Sequence, residues 1–281
     1  MSKVVVVTDS TCDLSEKLVK ENDIKIIPLY VSFDSDIYKD GVEIDTQKLF
    51  ELVDKNKKLP KTSACSVGDF ITFFQKYLEE GYEVFYAGIG SKLSSTYANA
   101  LLAKEELDTD KVQLSDSGNL SSGTGLLLLK ASKLAKEGKN AKEIKEAIDE
   151  FVPKVRSKFV VESLDYLHKG GRCSGVARFF GTMARLKPVI AVENGKLDVI
   201  AKPIGKRKGL KVMLDDIIGN KDNIYTDYVM ITHAYATEDV EYVKETLENE
   251  ITGVNVEETT AGCVISSHCG KGTIGILYIM K

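Results

Sequence analysis

Four stretches of the chain concentrate side chains able to do chemistry. Lys61-Thr62-Ser63, after Pro60, and Ser91-Lys92-Leu93-Ser94-Ser95-Thr96 both read as hydroxyl-rich loops, and each runs toward a helix start, at Ser66 and at Ser94 or Ser95. The unpaired N–H groups and the dipole of a helix start favour an anion. A single Ser or Thr in such a place is most simply an N-cap. A cap needs only one hydroxyl, however, so two dense clusters in one half of the chain point beyond capping, to hydroxyls gripping an anionic group. The third stretch, Ser266-Ser267-His268-Cys269-Gly270-Lys271-Gly272, reads as a loop whose glycines suit a close backbone approach ahead of the last strand. It has the glycine spacing of neither a phosphate loop nor a dinucleotide fingerprint, and a lone histidine is more often structural than functional.

The fourth stretch is Lys169-Gly170-Gly171-Arg172. It opens a segment, Lys169 to Lys211, with eleven basic residues and two acidic ones, Arg178, Arg185 and Lys206-Arg207-Lys208 among the former, in a chain of net charge −4. Such a run is either a solvated face or a docking surface for an acidic or phosphate-bearing partner. The net charge gives no reason to expect nucleic-acid binding. No G-x-S-x-G elbow is present, so a triad of Ser94, His268 and Asp9 or Asp116 has no support in spacing. Three histidines far apart and five cysteines without a CxxC pair make a metal site or disulfide framework unexpected and fit a reducing cytoplasm. The N-terminal valine run is too short for a signal peptide, and Leu126–Leu129 is too short for a membrane span.

These residues need elements to hold them. A β-branched run at Val4–Thr8 ends in Asp9-Ser10-Thr11. A helix over 13–22, an extended region over Ile26–Phe33 and a hairpin-like turn at Tyr38–Gly41 follow. Helices are expected after Asp45, from Ser66 with Asp69 closing a capping box, from Ser94 or Ser95 to about Leu107, over 120–136, and from Asn140 with Glu143 as its box partner. Strands are expected at Tyr82–Ala87 and Val112–Leu114. This alternation is the pattern of a doubly wound parallel sheet, whose ligands sit beyond the carboxyl ends of its strands. Asp9–Thr11, Ser91–Thr96 and Asp116–Gly118 all fall there. The second half differs. A strand at Phe159–Glu162 precedes two short helical stretches flanking Gly170-Gly171-Arg172. Pro188–Val192 and Lys196–Ala201 are joined by the hairpin turn Asn194-Gly195. Helix 207–218, strand 226–232, helix 237–249 and strands 252–256 and 273–279 complete it. The expected architecture is therefore α/β: a parallel α/β domain over 1–156 and an α+β domain with a mixed or antiparallel sheet over 157–281, as 281 residues allow.

Taken together, Thr8-Asp9-Ser10-Thr11-Cys12-Asp13-Leu14, Pro60-Lys61-Thr62-Ser63, Ser94-Ser95-Thr96, Asp116-Ser117, Lys169-Gly170-Gly171-Arg172 and His268 before a Gly-rich turn resemble, in order, the DegV family. The resemblance implies two domains with one long-chain fatty acid in a tunnel between them. It implies Thr62 and Ser94 as carboxylate ligands, Ser95 as a neighbouring donor, and His268 closing the polar end. It further implies no cofactor and no catalysis by this chain itself. For some members it implies presentation of the carboxylate to a separate ATP-dependent fatty acid kinase subunit, which forms the acyl phosphate, with a role in phospholipid metabolism. Arg172 resembles the family arginine at the kinase-facing rim, and Arg207 is a second docking candidate. Two positions depart from the family: Ile204-Gly205 stands where an Arg-Thr pair is common, and Ala64-Cys65 where the family is more polar. A monomer that touches membranes transiently is the expected state. A Ser–His hydrolase or acyltransferase and a lipid-binding regulator without a kinase are the alternatives.

Overall fold

The structure, a computed structural model, describes residues 3–173 and 186–281. In the first half, β1 (Lys3–Asp9), α1 (Glu16–Glu21), β2 (Ile24–Ile27), β3 (Tyr30–Phe33), β4 (Asp36–Lys39), α2 (Thr46–Asn56), β5 (Lys61–Ser63), α3 (Val67–Glu79), β6 (Tyr82–Gly88), α4 (Thr96–Leu107), β7 (Val112–Asp116), α5 (Ser121–Lys136) and α6 (Ala141–Phe151) follow in order. The all-parallel order β2-β1-β6-β7 is wound on both faces. Alternation along β1 decides which face: Val5 and Val7 join Phe70 and Phe74 of α3 and Ala100 of α4, while Val6 joins Leu126–Leu129 of α5 and Ile144 and Ile148 of α6.

The second half runs β8 (Val155–Val160), α7 (Leu164–Gly170), β9 (Val189–Glu193), β10 (Lys196–Ala201), α8 (Lys206–Gly219), β11 (Val229–His233), α9 (Thr237–Glu250), β12 (Val256–Thr260), α10 (Cys263–Cys269) and β13 (Ile274–Ile279). Its sheet, β10-β9-β8-β13-β11-β12, is mixed, with β11–β12 as the parallel pair. α8 and α9 cover one face with Leu210, Met213, Val240 and Val243. The other face meets the first half: Met230, Leu277 and Ile279 pack on α5, and Phe159, Ile190 and Leu197 pack near Ile89, Leu93 and Leu120. The fold is thus α/β, with a parallel-sheet domain and a mixed-sheet domain. No helix among the described residues is long and apolar enough to cross a membrane.

Several expectations are corrected locally. Ile26–Phe33 is not one extended region: it breaks at Pro28, and its second part pairs in a separate antiparallel sheet, β4-β3-β5. The tight turn of that hairpin lies at Asp34, φ 49°, and a separate turn follows at Gly41, φ 71°, at the end of the expected Tyr38–Gly41. Lys61-Thr62-Ser63 is strand β5 and not a loop, with Thr62 opposite Val31. Ser66 and Asp69 form the expected capping box, as do Asn140 and Glu143. The helix after Ser95 begins at Thr96 without a side-chain cap from Ser95. Strands expected at 226–232 and 252–256 lie at Val229–His233 and Val256–Thr260. Arg178, Arg185 and the helical stretch expected after Arg172 lie outside the described residues.

Candidate functional site

Beyond the carboxyl ends of β1 and β6, the crevice loop 89–95 is held from below by one carboxylate. Asp9 is fully buried and accepts hydrogen bonds from the Ile89 amide at 2.9 Å, the Tyr86 hydroxyl at 2.9 Å, the Thr11 amide at 3.0 Å and the Thr11 hydroxyl at 2.5 Å. Burial raises its pKa, and those donors lower it part of the way back. Gly88 is required here, since a Cβ would stand 2.0 Å from Asp9 Oδ2. Asp116 serves the same loop, accepting from the amides of Ser91 and Gly118 at 3.0 Å each. Two of the three polar turns thus hold the crevice, and the third, Ser91–Thr96, lines it.

The crevice contains a cavity of about 310 Å³ whose polar lining includes Thr62, Ser63, Ser94, Ser95, Arg172 and His268. Thr62 and His268, 206 residues apart, meet directly, Oγ1 to Nε2, at 2.8 Å. Thr62 reaches the cavity because β5 pairs with β3. His268 reaches it because residues 263–269, expected as a loop, form helix α10. Ser94 Oγ lies 2.8 Å from Thr96 Oγ1 and accepts from the Thr96 amide at 3.2 Å. All four expected carboxylate ligands therefore line one cavity.

His268 Nδ1 is buried without a hydrogen-bond partner among the described residues. A Cβ on Gly170 would stand 2.5 Å from that nitrogen, so the first glycine of Lys169-Gly170-Gly171-Arg172 is what lets the imidazole fit. Gly171, φ 70°, ends α7 in the left-handed region. In the sequence this motif reads as charge alone, and nothing beside it signals the glycines' steric role. Arg172 donates to the Gly170 carbonyl at 2.5 Å and the Leu93 carbonyl at 3.5 Å, which pins it at the rim. Arg207 is elsewhere, stacked 3.1 Å above the centroid of Tyr242. Lys206 pairs with Asp239 at 2.5 Å, and Ile204 is exposed.

Burial, and then the nearby Arg172 charge, hold the His268 pKa down to about 4. The imidazole is neutral at physiological pH. An unprotonated Nδ1 leaves only an unpaired acceptor there, which is easier to bury than an unpaired N–H. Nε2–H then donates to Thr62 Oγ1, and the Thr62 hydroxyl proton is free for an acceptor in the cavity. Between the lowered pKa and the ordinary 6.5, the unfolded chain binds the proton that the folded chain refuses. This contribution to stability is full above about 6.5 and is lost as pH falls toward 4. In a proton NMR titration, the His268 ring resonance stays at its neutral position down to about pH 5, where an ordinary histidine is already protonated. A midpoint near the ordinary value would contradict this environment.

A second, narrow chamber of about 60 Å³ lies deeper and shares Leu120, Leu197, Ile265 and His268 with the first cavity. Apart from His268, its polar residues have their polar atoms committed elsewhere. Ser121 donates to Asp13, Thr232 bonds Ser122 and Thr259, and Thr273 donates to the Cys269 carbonyl. His233 bonds Glu258 and the Ala236 amide, and Lys158 pairs with Asp216. What faces the chamber is almost wholly apolar: Phe159, Leu167, Ala234, Ala261 and Leu277. These lining residues carry no signal in the sequence, because an apolar residue facing a cavity has the same pattern as one facing a core.

The Ser–His–Asp arrangement is not assembled. His268 meets Thr62, Ser94 meets Thr96, and Asp9 and Asp116 hold the crevice loops. Among the described residues, no group of three His, Cys, Asp or Glu side chains could hold a metal.

Residues 3–281 match a family described as "Uncharacterised protein, DegV family". A DegV domain-containing protein of Clostridium acetobutylicum is 36% identical over the full length of both chains. Among solved structures, a fatty-acid-binding DegV family protein from Thermus thermophilus superimposes with a TM-score of 0.92 at 28% identity, over 99% of this chain and 100% of that one. A stearic-acid-binding protein from Eubacterium ventriosum gives 0.87 at 29% identity, over 100% of this chain and 99% of that one. Fold, motif order and full-length similarity agree: the chain belongs to the DegV family.

Proposed function

We propose that this protein binds one long-chain fatty acid, with the carboxylate among Thr62, Ser94, Ser95 and His268 and the tail running past Leu120, Leu197 and Ile265 into the inner chamber. The observation that carries the reading is a hydroxyl-lined cavity that shares four wall residues with an apolar one. Each methylene buried along that path contributes ~0.8 kcal/mol of gross transfer energy, so the tail supplies the larger part of the affinity. The head group therefore has only to be oriented and kept hydrogen-bonded, because a buried carboxylate without partners is costly. Hydroxyls suit either protonation state, being donors and acceptors at once. A titration of delipidated protein with fatty acid labelled at its carboxyl carbon saturates at one equivalent and gives one bound carboxyl resonance, which moves in His268→Ala. Several equivalents, or a resonance indifferent to His268, would overturn the reading.

The inner chamber sets how long a tail fits. Ala261, 3% exposed, lines it, and Ala261→Leu adds three carbons there. The expected result is a shift toward shorter chains, with affinity for the longest lowered by roughly tenfold, about 1.4 kcal/mol or two methylenes' worth of contact. Chain-length preference unchanged in a competition assay would place the tail elsewhere.

The same reading has the protein present the carboxylate, still at the crevice mouth, to a separate ATP-dependent fatty acid kinase subunit, acting as a monomer that gains its ligand by transient membrane contact. Arg172 at the rim supports docking. Arg207, committed to Tyr242, and the exposed Ile204 lend it none. Acyl-phosphate formation with a kinase subunit, weakened by Arg172→Ala, tests this part.

A further inference from the structure

α10 comes from the second half of the chain, yet Cys263 and Val264 at its start are buried in the core of the first half, with Val31, Phe33, Ile44 and Leu49. It has no N-terminal cap of its own, since Gly262 precedes it. Its leading amides are satisfied instead by two carboxylates from far upstream. Asp13 Oδ1 accepts from the Gly262 amide at 2.9 Å, and Asp40 accepts from the Cys263 amide at 2.9 Å and the Val264 amide at 3.4 Å. Each carboxylate is anchored in turn by a serine: Ser121 donates to Asp13 at 2.5 Å and Ser10 to Asp40 at 2.9 Å. Gly262 permits the convergence, because a Cβ there would stand 3.1 Å from Asp13 Oδ1 and 3.5 Å from Asp40 Oδ2.

One cap would suffice to satisfy a helix start, typically with a single short side chain. Two carboxylates, 6% and 3% exposed, are an expensive substitute, because burial disfavours charge on both and the Asp40 charge disfavours it further on Asp13. What two anchored carboxylates add is register. They fix the start of α10 in translation and rotation against the first half of the chain, and the sixth residue of α10 is His268. The imidazole is hydrogen-bonded to Thr62 through Nε2, and its Nδ1 has no partner among the described residues, so its aim follows from where the helix is held.

We propose that Asp13 and Asp40 are positioning residues of the head-group site: by seating α10 from the opposite half of the chain they bring the His268 imidazole onto Thr62. The proposal rests on the reading of that cavity as a carboxylate site, but its geometric content can be tested without ligand. Asp40→Asn keeps size and one acceptor oxygen while turning an NH2 group toward an amide or hydroxyl that needs an acceptor. In the full chain it shifts the His268 ring resonance of delipidated protein, identified as the one missing from His268→Ala. It also speeds release of a fluorescent fatty acid to acceptor vesicles about tenfold. The Asp40→Asn/His268→Ala double variant releases no faster than His268→Ala alone, because Asp40 acts through His268. Multiplicative effects on release, or an unmoved His268 resonance, would overturn the proposal and leave Asp40 a structural cap. If the unaltered protein holds no fatty acid, the carboxylate reading fails, and the ligand-free resonance alone decides the positioning claim. Should Asp40→Asn not fold, Asp13→Asn goes through the same cycle, and the same two results support or overturn the proposal.

Discussion

Removing the hydroxyls of Thr62 and Ser94 together, as Thr62→Ala/Ser94→Ala, lowers fatty acid affinity by about 10²- to 10⁴-fold. Hydrogen bonds to a charged group contribute roughly 1.5–3 kcal/mol each, and two are lost. The Thr62 change has a second consequence. The His268 Nε2–H that Thr62 accepts at 2.8 Å is left to seek the carboxylate or water, so the head group loses its fixed orientation as well as a donor. Thr62→Ser keeps the hydroxyl and restores most of the affinity. The increment per methylene along a homologous series is expected to stay near ~0.8 kcal/mol in every variant, because Thr62 and Ser94 do not line the apolar chamber proposed to take the tail. Calorimetry on delipidated protein measures both quantities. Wild-type affinity in the double variant would mean that the carboxylate lies elsewhere.

The second large effect falls on stability. Asp9→Ala removes the single acceptor shared by the Thr11 amide and hydroxyl, the Tyr86 hydroxyl and the Ile89 amide, all in the buried floor of the crevice. An unsatisfied buried donor costs about 1–3 kcal/mol. Relief of the buried charge offsets part of that, since burial already disfavours the ionised Asp9. The expected net loss is about 3–5 kcal/mol, or roughly 10 °C in thermal midpoint for a protein of this size. Loop 89–95 loosens with it, so Asp9→Ala weakens ligand retention although Asp9 does not line the cavity. A midpoint within about 2 °C of wild type would show that the crevice floor holds without this carboxylate.

What could be read in the sequence were features with a local cause. Capping boxes declare themselves within four residues, as at Ser66 and Asn140. The continuous β-branched run at Val4–Thr8, in a chain that alternates strands with helices, announces a sheet covered on both faces, and Asn194-Gly195 a two-residue hairpin. That Thr62, Ser94, Ser95 and His268 line one cavity was legible only because their motifs resemble a family, not because spacing brings Thr62 to a histidine 206 residues away. What was not legible had its cause at a distance. β5 is three residues long, too short for a period, and exists because β3 offers it an edge. α10 is a helix capped by Asp13 and Asp40, more than 220 positions upstream, so nothing beside it signals a start. Gly170 reads as part of a basic loop until the imidazole is seen against it. Arg207 reads as a free cation until Tyr242 is found beneath it.

The neighbouring hydroxyl-lined and apolar cavities are proposed to hold one fatty acid by its carboxylate. Organic extraction of the purified full-length protein, followed by mass spectrometry of the extract, tests it most directly. The expected extract holds one equivalent of long-chain fatty acid per chain, reduced or absent for Thr62→Ala/Ser94→Ala. A wild-type protein that comes out empty, fails to take up added fatty acid and hydrolyses esters would contradict it.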